Sequence, residues 1–529
     1  MHCISYSHCG GPRFAFLFWG LIGLFVVGCS DSGSATSGEP RFEPIVEATP
    51  IPRQTAEELG IEPFTGETVT PEPTDPKNIP DHPILNNDGD SRIHNDHYNT
   101  GVYDRPGPAG PAIDVISHRL GGLTGICAMM AMLENGYVIA SCFIGEGGSD
   151  PRVNLVMFDN ENLDIVAQRD IGPRPFIPNS AGGAYFTMDA EENIIIGPPN
   201  SLQQYHIEVT DGAPEFVLDK SIDMTPYIRE DALLQDSVID YDGRLWFMAT
   251  TGEVGYVNLD TEVVKTIDLA PDLEDCPTAT ATQVLQNSIA HDEDAIYMVT
   301  CAALYRLSAD AEGEVQVDWR APYETGSEIQ GILPGSGTSP TLFGTEDDLI
   351  TICDNADVQI NLLVIDRASG TEVCKTPLFR PGESATENSS IGYGDDVVIA
   401  NNDGFVAPFL PANSMFPGLE RYEVTRDGDR NPTGCELVWK NDDAIINSNQ
   451  LATESGVIWG YGADPDVNEI DHFYLGAYEW STGNEIFRAY VGDGTLFDPI
   501  TGQVHMHPDG SFFIGAIGGA IKMSDAARP

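Results

Sequence analysis

Apolar residues in this chain come in short β-forming runs separated by tight polar turns. The recurring unit is a first run, an Asp, Gly or Asn-rich turn, a second run, a loop, and two more runs joined by a Ser/Thr-Gly hairpin. The inner turn recurs eight times, from Glu134-Asn135-Gly136 through Asp242-Gly243 and Glu454-Ser455-Gly456 to Asp509-Gly510. Its spacing is roughly 50 to 60 residues, the range of four-stranded propeller blades. The second runs, such as Leu245-Trp246-Phe247-Met248 and Leu349-Ile350-Thr351-Ile352, are apolar on both faces. Strands sandwiched between neighbouring blades need that pattern. Later runs follow the same grammar, as in Leu362 to Ile365, the turn Asp366 to Gly370, and Glu372 to Cys374.

The two ends complement each other. The last unit, Pro499 to Met523, supplies only three runs, and an unpaired run, Ile113 to Ile116, precedes the first complete unit. Pairing them closes a ring and removes an exposed edge. The pattern therefore predicts an all-β fold, an eight-bladed β-propeller closed by an N-terminal strand, with seven blades as the alternative count.

The start of the chain reads differently. Phe14 to Val27 is an uncharged apolar run, preceded by Arg13 and ending in Val26-Val27-Gly28-Cys29. It is too short to span a bilayer and fits a signal-peptide core. The ending resembles the lipobox of bacterial lipoproteins. That resemblance implies cleavage before Cys29, acylation of its thiol and anchoring in a membrane facing the periplasm or the cell exterior. The expected organisation is a signal peptide over 1–28, a disordered polar leash over 29–80, a loop-like approach over 81–112, the propeller over 113–524 and a tail over 525–529.

The formal net charge of −56 argues against nucleic acid as a partner. The acids are spread along the chain, which suits a hydrated surface. Beyond Cys29 lie Cys127, Cys142, Cys276, Cys301, Cys353, Cys374 and Cys435, with no CxxC. Export makes disulfides the default, and the odd number leaves a thiol over. Strand positions pair Cys127 with Cys142 across a hairpin, and Cys276 with Cys301 at the top of one blade. The pairing of the others stays open.

Loops before the first strand and after the second share one face of a propeller. On it the repeat places Asn287, Asn388 and Asn449 before first strands, with Glu387 beside Asn388, and Asp354, Asn355, Asp357, Asn402 and Asp403 after second strands. Such a ring of oxygens suits a small polar ligand, or Ca²⁺ held by Asp354, Asp357, Glu387 and Asp403. The same residue types also serve as ordinary turn formers. His94-Asn95-Asp96-His97 has metal-like residue types but no third ligand nearby in sequence.

The Asp-x-x-Ser/Thr-Gly turns, the eight units and the lipoprotein start resemble the PQQ-like, quinoprotein-type propeller superfamily, over about residues 110 to 524. His97 to Asp104 and Cys353 to Asp357 are similar to features of secreted bacterial propellers without an assigned reaction. The resemblance implies fold rather than activity. Three classes follow: a ligand-binding or protein-scaffold lipoprotein, a quinoprotein-type oxidoreductase, and a metal-dependent lyase or hydrolase. Quinoprotein dehydrogenases typically carry adjacent cysteines, and this chain has none; nor has it a GxSxG elbow or an HExxH helix. The expectation is a membrane-anchored binding or scaffold module.

Overall fold

The computed structural model describes residues 46–87, 91–110, 112–121, 125–145, 151–174, 182–285, 287–329, 334–404, 415–467, 470–500 and 502–526. The expected signal peptide, Cys29, the leash up to residue 45 and residues 527–529 of the tail lie outside these.

Local turn chemistry builds the hairpins. Asp240 Oδ1 accepts the N–H of Asp242 at 3.0 Å and of Arg244 at 2.8 Å, and Gly243 takes a φ of +80°. Asp189 repeats this with Glu191 at 3.0 Å and Asn193 at 2.8 Å. A carboxylate in this position satisfies turn N–H groups that the strands cannot. Part of the chain's acidity is therefore turn structure.

Eight sheets result. In chain order the blades span 126–173, 186–223, 234–268, 290–322, 341–377, 391–441, 448–493 and 505–525. The eighth is completed by Ile113–Arg119, antiparallel to Gly519–Asp525 with Val115 opposite Met523. This is the eight-bladed, strand-closed ring that the repeat predicts.

Packing follows the apolar runs. Among the described residues, one hydrophobic cluster forms between each pair of neighbouring blades. Between blades 3 and 4, Trp246 at 1% exposure packs with Tyr256, Leu285 and Met298. Its indole N–H is matched by Asp240 Oδ2 at 2.7 Å. Side chains of this size contribute about 1.5–3 kcal/mol each on burial. Disulfides link Cys127 to Cys142 and Cys276 to Cys301, as strand positions predict. A third joins the outer strands of blades 5 and 6 through Cys374 and Cys435, leaving Cys353 as the buried free thiol.

Two expectations about the N-terminal region are corrected. The described part of the leash, 46–80, is packed on the ring. Ile51, Leu59 and Val69 are buried. Thr55 and Glu58 form a capping box on the short helix Ala56–Leu59, which sits against Tyr490. Phe64–Gly66 adds a strand to the outer edge of blade 7. Too few apolar residues are present for a separate core, but here they borrow the ring's surface. The approach segment does more than lead into the ring: its residues 91–105 enter the axis and, Asp104 apart, are buried there.

Candidate functional site

The innermost strands of a propeller turn one edge toward the axis, and their N–H groups need acceptors. Residues 84–87 and 91–105 supply them, as a plug. Carbonyls of the plug accept from Ala190 and Met188 of blade 2, His291 of blade 4, Leu342 of blade 5, Gly392 of blade 6, and Leu451 and Thr453 of blade 7. Val102–Tyr103 is registered as a parallel strand against Leu451 and Ala452. Arg105 ends the path by donating to the Met506 carbonyl in blade 8. Asn95 and Asn99 take positive φ, +82° and +57°, which Asn tolerates better than most residues.

Arg92 locks the plug. It is 1% exposed and donates to Asp236 Oδ2 at 2.6 Å, and to Thr187 Oγ1, the Ser237 carbonyl and the Ile289 carbonyl, each at 2.8 Å. Burial pushes the Asp236 carboxyl upward, while Arg92 and the N–H groups of Ile289 and Ser237 pull the other way. His94 Nε2 meets Ser339 Oγ at 2.9 Å and Ser389 Oγ at 3.1 Å. Burial, then Arg92 and His505, lower its pKa to about 3.

Most of the small polar residues expected at the top mouth are matched to protein. Asp236 accepts the Ile289 N–H at 2.8 Å, Ser339 the Ser288 N–H at 3.0 Å, and Ser389 the Ser339 N–H at 3.0 Å. Asn287 donates to the Ser336 carbonyl at 2.9 Å and the Thr338 carbonyl at 3.1 Å. Asn388 bonds Asn447 Oδ1 at 2.9 Å and accepts from Gln503 at 2.8 Å. Asn402 Oδ1 accepts the Glu387 N–H at 2.9 Å and the Asn388 N–H at 3.2 Å. This is a hydrogen-bonded belt running from blade to blade. The hydroxyls of Ser237, Ser288 and Ser448 are buried without a partner among the described residues, and so are both ends of the Asn449 amide, which is 2% exposed.

The carboxylates expected to hold Ca²⁺, those of Asp354, Asp357, Glu387 and Asp403, are not grouped around a common point. Among the described residues no group of three or more His, Cys, Asp or Glu is placed to hold a metal ion. Asp354 folds its own loop, accepting Asn361 N–H at 2.6 Å and Asn361 Nδ2 at 2.8 Å, with Lys375 Nζ at 3.2 Å. Asn355 donates to the carbonyls of Thr325 and Glu328, each at 2.9 Å. Asp357 is exposed and accepts the Ser327 N–H at 2.7 Å. Burial, more than nearby Glu383, raises the Asp403 carboxyl's pKa. Loop-closing hydrogen bonds account for the Asp and Asn residues over blade 5.

At the opposite, hairpin end of the axis stands a cluster that sequence reasoning missed. His82, His97 and His291 have ring centroids 5.0 to 5.3 Å apart, and Tyr241 packs on His82 at 4.3 Å. His82 Nδ1 accepts the N–H groups of Ile84 at 3.1 Å and Leu85 at 2.9 Å. Its proton therefore sits on Nε2, which removes it as a neutral metal ligand. His94 and His97 are near neighbours in the chain, yet His94 meets Ser339 and Ser389 whereas His97 joins His82 and His291. Only the turn-forming Asn95, Asn99 and Gly101 hinted that this stretch was ordered.

Fold and site define the class: an eight-bladed β-propeller whose axis is filled by its own N-terminal segment. Compared by sequence, the chain matches no protein-family profile and no curated protein. Among solved structures it is similar to the quinohemoprotein alcohol dehydrogenase ADHIIG from Pseudomonas putida HK5. The TM-score is 0.50 and the identity 11%, over 84% of this chain and 82% of that one. The quinohemoprotein alcohol dehydrogenase from Comamonas testosteroni matches at 0.49 and 10% over the same shares. A virginiamycin B lyase from Staphylococcus aureus matches at 0.39 and 9%, over 78% of this chain and 99% of that one. Identities this low speak for the fold alone.

Proposed function

We infer that the protein is a lipid-anchored, extracytoplasmic binding module that takes a small polar ligand at the top mouth of its ring. One observation carries the ligand reading. Within a belt of mostly matched polar side chains, Asn449 is buried with both its amide donor and its acceptor unmatched among the described residues. A buried amide left in this state costs about 1–3 kcal/mol, which a ligand with complementary groups recovers. Export is supported by three disulfides, and anchoring by the Gly28-Cys29 ending of the apolar leader. The plug argues against a catalytic channel through the axis.

The test is calorimetry of the whole protein against amino acids, sugars, polyols and hydroxy acids. One class should give saturable heat that Asn449→Leu abolishes without lowering the melting temperature. If no class saturates, the ligand reading falls and a protein-scaffold role takes its place.

A further inference from the structure

The histidine cluster is built across the boundary between plug and ring. His82 precedes the plug, His97 belongs to it, and His291 lies on the innermost strand of blade 4. The main chain joins two of them directly, since the His291 N–H donates to the His97 carbonyl at 2.9 Å. Exposure is 2% or less for all three. Neither ring nitrogen of His291 reaches a side-chain partner among the described residues. Among the described residues His97 Nε2 meets the Tyr241 hydroxyl alone, at 3.2 Å.

The charged surroundings do little to stabilise an added proton. Arg92 and Lys77 are cations already facing the rings. The nearby anions are Asp96, Asp347, Asp292, Glu293 and Asp81. Three of these are engaged elsewhere. Asp96 holds Lys77 at 3.1 Å, Asp347 holds Arg367 at 2.9 Å, and Asp292 holds the Tyr297 hydroxyl at 2.8 Å. Glu293 and Asp81 are exposed to solvent.

We propose that His82, His97 and His291 form an acid-operated latch on the plug, whose protonation parts the plug from blades 3 and 4 and opens the hairpin end of the axis. The proton comes from solvent, and no bond other than N–H forms. Imidazolium rings at this spacing repel one another and demand water, which a sealed cluster denies them. Separation of the plug supplies that water. Burial lowers the pKa of His82 to about 3 and of His97 to about 4, and that of His291 falls well below its ordinary value. Acid below the ordinary imidazole value of about 6.5 therefore favours the parted plug, more strongly as the pH falls.

Hydrogen–deuterium exchange of the whole protein, corrected for intrinsic rates, tests this at pH 7 and pH 4. Peptides covering 91–104 and 289–299 should exchange at least tenfold faster at pH 4, while 244–258 of blade 3 keeps its protection. His97→Gln/His291→Gln should lose that acid response. Three results overturn the latch: plug protection unchanged at pH 4 in folded protein, plug and blades losing protection together, or a double variant that responds as the wild type does. Should the double variant fail to fold at pH 7, the wild-type comparison of plug with blade 3 decides by the same criteria.

Discussion

Removing Arg92 is the sharpest test of how the plug is held. Arg92→Met keeps an apolar stem of similar length and deletes the guanidinium. Asp236 then stays behind with 0% side-chain exposure and no cation. Breaking a buried pair from one side costs about 3–5 kcal/mol, because the remaining charge is left uncompensated. The N–H groups of Ile289 and Ser237, each at 2.8 Å, still bond Asp236 and keep the loss toward the lower end. Unfolding entropy is about 2.1 cal/mol/K per residue, so a ring unit running from residue 43 to 529 melts with roughly 1 kcal/mol/K. The expected fall in melting temperature is thus about 3–5 °C at pH 7, read by calorimetry at several scan rates. Adding Asp236→Asn should recover part of it, since the stranded charge is gone. A fall under about 1 °C, or no recovery in the double variant, would refute the view that this ion pair locks the plug.

Other consequences can be measured separately. Asp498 is raised to about 6, by burial first and by Asp471, against the Ile500 N–H. Its folded pKa exceeds the unfolded one, so this carboxyl costs stability as pH rises from about 4 to 6. Asp498→Asn should then stabilise by up to about 3 kcal/mol at pH 7 and by nothing near pH 4, in denaturant titrations. Cys353 is buried, so alkylation should label it only after unfolding, whereas Cys374 and Cys435 should label only after reduction. Cys29→Ser should abolish palmitate labelling in cells; label that persists in the variant would remove the lipid anchor.

What was readable in the sequence was what neighbours along the chain decide. Asp240 and Gly243 make their hairpin with residues a few places away, so the turn, its spacing and hence the blade count are written locally. Cys127 and Cys142 face each other across one such hairpin, which made their bridge readable too. The apolar runs, buried on both faces, and the spare strand Ile113–Arg119 together specify a closed ring. The plug has no such signature. It is held through its carbonyls, which every residue type carries alike, and through polar side chains whose partners lie in other blades. Asn388 meets Asn447 and Gln503, and His97 meets His82 and His291, only after the ring has closed. The same closure decided that Asn449 is left unmatched, whereas Asp354 serves its own loop through Asn361, close by in the chain. The sequence by itself determined the blades and narrowed their number to eight or seven, because strand and turn propensities act over short stretches; the closed ring fixed eight. Only the tertiary structure decided what fills the axis and which polar groups remain unsatisfied there, because those contacts join residues far apart in the chain.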